Sequence, residues 1–170
     1  VEVVNNSSSD INHLWIADTL PYDGDGDSAW GPTLISNVTV EGVEGTVYYA
    51  SGHMSEGGLF STIDETNYTS SSLSTTRESN SDAFLVFVDS LDEGAQVTLT
   101  YTCEAPSEEE AAASDRIYYY MAVNSASFMY DDRPVTANES NNTLVTVVPQ
   151  PVALGDIVWI DENANGIQDE

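Results

Sequence analysis

An all-β fold built from two antiparallel sheets is predicted by three features of this sequence. Ser, Thr and Asn occur 20, 15 and 12 times in 170 residues, beside nine Tyr, a composition that suits short strands and turns better than helices. Residues 83–88 are apolar without interruption, as a strand buried on both faces requires. Residues 96–103 alternate without a fault, with Val97, Leu99, Tyr101 and Cys103 on one face and Gln96, Thr98, Thr100 and Thr102 on the other. Turn signals separate about eight short strands and one small helix. The expected architecture is therefore an immunoglobulin-like antiparallel β-sandwich with Greek-key connections, a jelly roll being the alternative.

Residues 1–5 form a short β-like run that ends in the polar turn Asn5-Asn6-Ser7-Ser8-Ser9-Asp10. Residues 11–19 carry Leu14, Trp15 and Ile16 and stop at Leu20-Pro21, and the run Asp23-Gly24-Asp25-Gly26-Asp27 is a turn-rich loop. Residues 33–41 and 46–51 read as two strands around a turn at 42–45. Residues 52–82, mostly Gly, Ser, Thr and Asn with sparse anchors at Leu59, Phe60, Ile63 and Leu73, read as a long loop or weakly paired edge strands. After the strands at 83–88 and 96–103, Ser107-Glu108-Glu109-Glu110 has the spacing of a capping box, with acids where a helix N-terminus favours them. Residues 117–128 form a long aromatic strand and 144–148 a last one. The expected interior holds Trp15, Phe84, Val86, Leu99, Tyr101, Tyr119 and Val123. A stiff linker, Pro149-Gln150-Pro151, closes this first module at 1–148, and residues 152–170 open a second, incomplete one.

Charge narrows the function. Acids outnumber bases 29 to 3, the bases being Arg77, Arg116 and Arg133, and the formal charge is −26. Binding to bare nucleic acid or an anionic membrane would find no cations to meet the phosphates, and no apolar stretch approaches the roughly 20 residues that span a bilayer. Without lysine there is no Schiff-base chemistry, no P-loop cation and no lysine–asparagine crosslink. Cys103, the single cysteine, has no internal disulfide partner and falls on the apolar side of its strand, as an inert core thiol. The first residue is Val with no charged-then-apolar leader, which suits a processed protein or a segment of a longer one. So acidic a surface fits high-salt adaptation, cation binding or colloidal solubility.

The sharpest motif is Asp161-Glu162-Asn163-Ala164-Asn165-Gly166-Ile167-Gln168-Asp169. It has the first nine positions of an EF-hand-type loop, with oxygen side chains at 1, 3, 5 and 9 and Gly at 6 for the sharp turn. Ile167, at position 7, would offer its backbone carbonyl. These hard oxygens suit Ca²⁺ better than Mg²⁺, and the acid of position 12 would fall at 172. Asp23, Asp25 and Asp27 form a weaker alternating acidic set. Asn-x-Ser/Thr sequons begin at Asn5, Asn6, Asn37, Asn67, Asn138 and Asn141, against about 2.5 expected by chance, and permit extracellular glycosylation. His13 and His53 lie in no nucleophile or metal-ligand spacing, so no catalytic residue is assigned. Tyr118, Tyr120 and an exposed-looking Trp30 offer flat faces for sugar rings.

Two stretches resemble known families. Residues 154–161 (Leu154-Gly155-Asp156-Ile157-Val158-Trp159-Ile160-Asp161), with the loop that follows, resemble the opening of the calcium-binding B repeat of serine–aspartate-rich surface adhesins. Val3-Val4-Asn5-Asn6, then Asp18-Thr19-Leu20-Pro21-Tyr22 with Gly24-Asp25, are similar to the conserved domain repeated in tandem along large bacterial and archaeal surface proteins. So are Leu91-Asp92-Glu93-Gly94 with residues 97–101, Asn124-Ser125-Ala126, and Glu139-Ser140-Asn141-Asn142. The resemblance implies extracellular immunoglobulin-like modules serving as stalks, spacers or filament subunits, with calcium stiffening their junctions. Carried over by position, the ligands are Asp161, Asn163, Asn165, the Ile167 carbonyl and Asp169. The family's first strand would precede Val1, and the B repeat stops before its loop closes. The expectation is a structural module whose partners are neighbouring copies or modules, joined head to tail by strand addition of residues 152–160. The alternative is an adhesin domain that binds a glycan or protein through the 52–82 loops.

Overall fold

The computed structural model describes residues 1–23, 28–107, 109–110, 121–131 and 143–146. The first half holds β1 (Glu2–Val4), β2 (Ile11–Thr19), β3 (Thr33–Leu34), β4 (Thr39–Glu41), β5 (Thr46–Ser51), α1 (Glu56–Phe60), β6 (Ile63–Asp64) and β7 (Thr69–Ser70). The second holds β8 (Ser81–Leu91), β9 (Gln96–Thr100), β10 (Cys103–Glu104), β11 (Met121–Asn124), β12 (Ala126–Met129) and β13 (Thr143–Thr146). The chain is all-β, and every pairing between these strands is antiparallel.

One sheet has four strands in the order β12-β2-β8-β5, and a second has three in the order β1-β9-β4. Past an irregular stretch the β9–β4 pairing resumes as β10–β3, with Ile35 N donating to Thr102 O. The expected single strand at 33–41 is thus broken at 35–38. Its halves and β5 also part company across the turn at 42–45, β4 joining β9 and β5 joining β8.

Period-two alternation divides the four-stranded sheet into two buried faces. Leu14 and Ile16 of β2, Phe84, Val86 and Val88 of β8, and Tyr49 of β5 meet Val97 and Leu99 of β9 in a core shared by the two sheets, a packing consistent with a β-sandwich. The intervening residues Trp15, Ala17, Tyr48, Ala83 and Leu85 point the other way into a second core. Each large apolar side chain so enclosed contributes about 1.5–3 kcal/mol. This two-sided burial explains the unbroken apolar run at 83–88. Trp15 is buried as expected, but on the outer face instead of between the two sheets, because it is out of phase with Leu14 and Ile16.

The outer face is covered by residues 52–80, which hold α1 and the short pair β6–β7 amid loop, so the expected loop or weakly paired strands pack down as a layer. Ser55 caps α1 by accepting from Gly58 N at 3.2 Å, Leu59 inserts fully into the second core, and Met54, Phe60, Ile63, Tyr68 and Leu73 pack around it. Tyr68 stacks on Phe87 of β8 at 5.8 Å and on His13 of β2 at 3.7 Å, which gives His13 a packing role. Thr19 Oγ1 donates to Met54 O at 2.6 Å, tying the layer to β2.

Asn5 fixes the end of the body. Its buried amide nitrogen donates to the carbonyls of Ser9, Leu91 and Asp92 at 2.9, 2.9 and 3.1 Å, while its Oδ1 accepts from Ser7 N and Oγ. The capping box is formed: Ser107 N and Oγ donate to Glu110 Oε2 at 2.8 and 2.7 Å, and Glu110 N donates back to Ser107 Oγ. Among the described residues no helix is long and apolar enough to cross a membrane.

Candidate functional site

The β2 face that sends Leu14 and Ile16 into the shared core carries Asp18 at the next step but one, and Asp18 is also fully buried. β2 pairs it with Phe84 on one side and Ala126 on the other, so its carboxyl cannot reach water and must find partners inside. Tyr101, just past β9, donates its hydroxyl to Asp18 Oδ2 at 2.7 Å. Asn124 of β11 donates Nδ2 to both carboxyl oxygens at 3.1 and 3.3 Å and lies 3.3 Å from the Tyr101 hydroxyl. The triad joins the four-stranded sheet to the facing one.

Burial raises the Asp18 pKa to about 6, the hydrogen bonds from Tyr101 and Asn124 offsetting part of the effect. Burial, then the Asp18 charge, pushes the Tyr101 phenol upward. The same causes, burial first, hold the half-buried Cys103 thiol at about 11, which leaves it protonated at neutral pH. Beside this triad lies a cavity of about 460 Å³ whose walls include Leu20, Pro21, Trp30, Tyr101, Ala122 and Ala126. Trp30 corrects an expectation: it is 4% exposed and packs with Ala29 and Ala122, so it offers no open face for sugar stacking.

A second polar site sits where β8 begins. Asp82 Oδ2 accepts from the backbone N–H of Gly52 and of His53, both at 3.0 Å, and lies 3.3 Å from His53 Nδ1. The carboxylate thereby holds a turn in which Gly52 and His53 both take positive φ, +84° and +54°. Tyr22 stacks on the His53 ring at 4.3 Å, and Asp23 borders the same recess of about 360 Å³.

Of the expected metal ligands, Asp23 is exposed at this recess, while Asp25 and Asp27 lie outside the described residues, as do Asp161, Asn163, Asn165, Ile167 and Asp169. Among the described residues no group of three or more His, Cys, Asp and Glu side chains is arranged to hold a metal. Asn6, Asn37 and Asn67 are exposed; Asn138, Asn141 and the Tyr118–Tyr120 run lie outside the described residues. Asn5 is a correction, since its amide nitrogen is spent on three carbonyls and its burial leaves no room for a glycan. The Asp18 triad was missed because acids were read as solvated, although the order Leu14, Ile16, Asp18 along one strand face was a signal for it. No protein-family model, curated protein or solved structure matches the chain.

Proposed function

We propose that this chain is a structural module of an extracellular surface protein or filament, of immunoglobulin-like Greek-key type over residues 1–148. On this reading it acts without catalysis and meets neighbouring copies or modules through a calcium-stiffened junction built on residues 152–170. Asp161, Asn163, Asn165, the Ile167 carbonyl and Asp169 would hold the Ca²⁺, converting the link after Pro149-Gln150-Pro151 into a set angle.

The observation that carries this reading is the β2–β8 ladder, which runs from Ile11 opposite Leu91 to Thr19 opposite Ala83 with both faces of the sheet buried. A long antiparallel ladder enclosed on both sides resists extension, because the strands must shear many hydrogen bonds together while exposing two cores. The fully buried polar side chains of Asp18 and Asn5 are spent on internal hydrogen bonds, Asp18 with the half-buried Tyr101 and Asn124, that tie strands together. Imaging of the native material with and without chelator tests the proposal. Straight, ordered particles should bend or disperse when calcium is removed; particles that stay straight would count against the junction.

A carbohydrate- or protein-binding adhesin domain is the second reading. It is favoured by the Tyr22–His53 stack, whose tyrosine is 36% exposed beside an acidic recess. Glycan-array binding that disappears in Tyr22→Ala would support it.

A further inference from the structure

β1 is an edge strand among the described residues. Val1 exchanges backbone hydrogen bonds with Leu99, and Asn5 N donates to Ala95 O. In an antiparallel ladder these groups alternate, so Glu2 and Val4 aim their N–H and C=O groups away from β9. Val1 and Glu2 also border the cavity of about 460 Å³ described above, which Ala122, Asn124 and Ala126 of β11 and β12 line as well. Unpaired backbone groups beside an apolar recess are what a strand-addition site needs: the main chain supplies affinity and the recess takes alternate side chains.

What occupies such an edge in a chain of charge −26 must bring little negative charge of its own. Residues 152–160, outside the described residues, are Val-Ala-Leu-Gly-Asp-Ile-Val-Trp-Ile and contain one acid. They follow β13, which pairs with β11, the strand whose Ala122 and Asn124 wall the recess. The intervening Pro149-Gln150-Pro151 is stiff by composition. Resting on the head-to-tail reading above, we propose that the outward edge of β1 and this recess receive residues 152–160 of a second copy of the chain.

Disulfide trapping in a Cys103→Ala background tests this with full-length chains. One population carries Val4→Cys and a size tag; the other carries a single cysteine placed in turn at each of positions 152–160. Mixed under oxidising conditions, they should give heterodimers whose yield alternates with a period of two along the segment. In the untrapped chain, Val4→Pro removes one outward N–H while sparing the bonds to β9, and should weaken assembly about tenfold. Uniform or absent heterodimers while the unmodified chain still sediments as assemblies would overturn the acceptor edge and leave the head-to-tail reading standing. A disulfide that forms only when both cysteines share one chain would also overturn it, in favour of self-closure. A chain that neither crosslinks nor assembles would overturn both.

Discussion

Tyr101 donates its hydroxyl to the buried carboxyl of Asp18 at 2.7 Å, and this bond joins the two sheets at one end of their shared core. It makes the fold a proton acceptor. Asp18 titrates near 6 in the folded chain, against an ordinary value of 3.8, chiefly because burial penalises the charge. A carboxyl raised in the native state binds its proton more tightly there than in the unfolded chain, so its contribution is fully present below about pH 4 and is lost as pH rises through 6. The difference amounts to about 3 kcal/mol. Denaturant midpoints from pH 4 to 7, compared between the parent and Asp18→Asn, isolate this from the titration of the other acids. The parent should lose about 2 kcal/mol of this relative to the variant across that window; parallel curves would contradict the assignment.

Asn5→Ala should cost about 3 kcal/mol, because it strands three carbonyl groups, two of them where β8 ends and its turn begins. Chemical denaturation measures the loss directly. In glycosylated native material, peptide mapping should find no glycan on Asn5, whose amide is enclosed, and occupancy confined to exposed sequons such as Asn37 and Asn67.

Leu59 is the fully buried anchor of the layer formed by residues 52–80. Leu59→Ala should destabilise the protein by about 2–4 kcal/mol through the cavity it leaves. Limited proteolysis should then cut first within 52–80, ahead of the β2–β8 ladder. Cleavage in the parent and variant at equal rates would show that Leu59 does not hold the layer.

Cys103 should react with thiol reagents at pH 8 about a hundredfold more slowly than an unshielded cysteine, because its thiol titrates near 11. Addition of denaturant should restore the ordinary rate. Fast labelling of the folded chain would show that the strand end around β10 opens readily.

Much of the fold was legible in residue periodicity, since strands covered on one or both faces advertise it. The limits of β2 match their expectation, and β8 and β9 lie where the apolar run and the alternation put them. The outer layer was not legible, because Leu59, Ile63, Tyr68 and Leu73 sustain neither helical nor strand spacing and dock one by one onto a surface that exists only once β5, β8 and β2 are assembled. Trp30 was misjudged, and Trp15, buried as expected, lies on the other face, for a related reason: hydrophobic character alone does not reveal which of two faces, or which neighbour, will cover a ring. Asp18 shows the converse, an acid whose partners at Tyr101 and Asn124 are 83 and 106 residues away in sequence.

The calcium junction is tested most directly by calorimetric titration of Ca²⁺ into the full-length chain and into the Asp161→Asn/Asp169→Asn double variant. One site with a dissociation constant on the order of 10⁻⁴ M, in the range of extracellular modules, should appear in the parent and vanish in the variant. Absence of binding to the parent, or equal binding to both chains, would contradict the account.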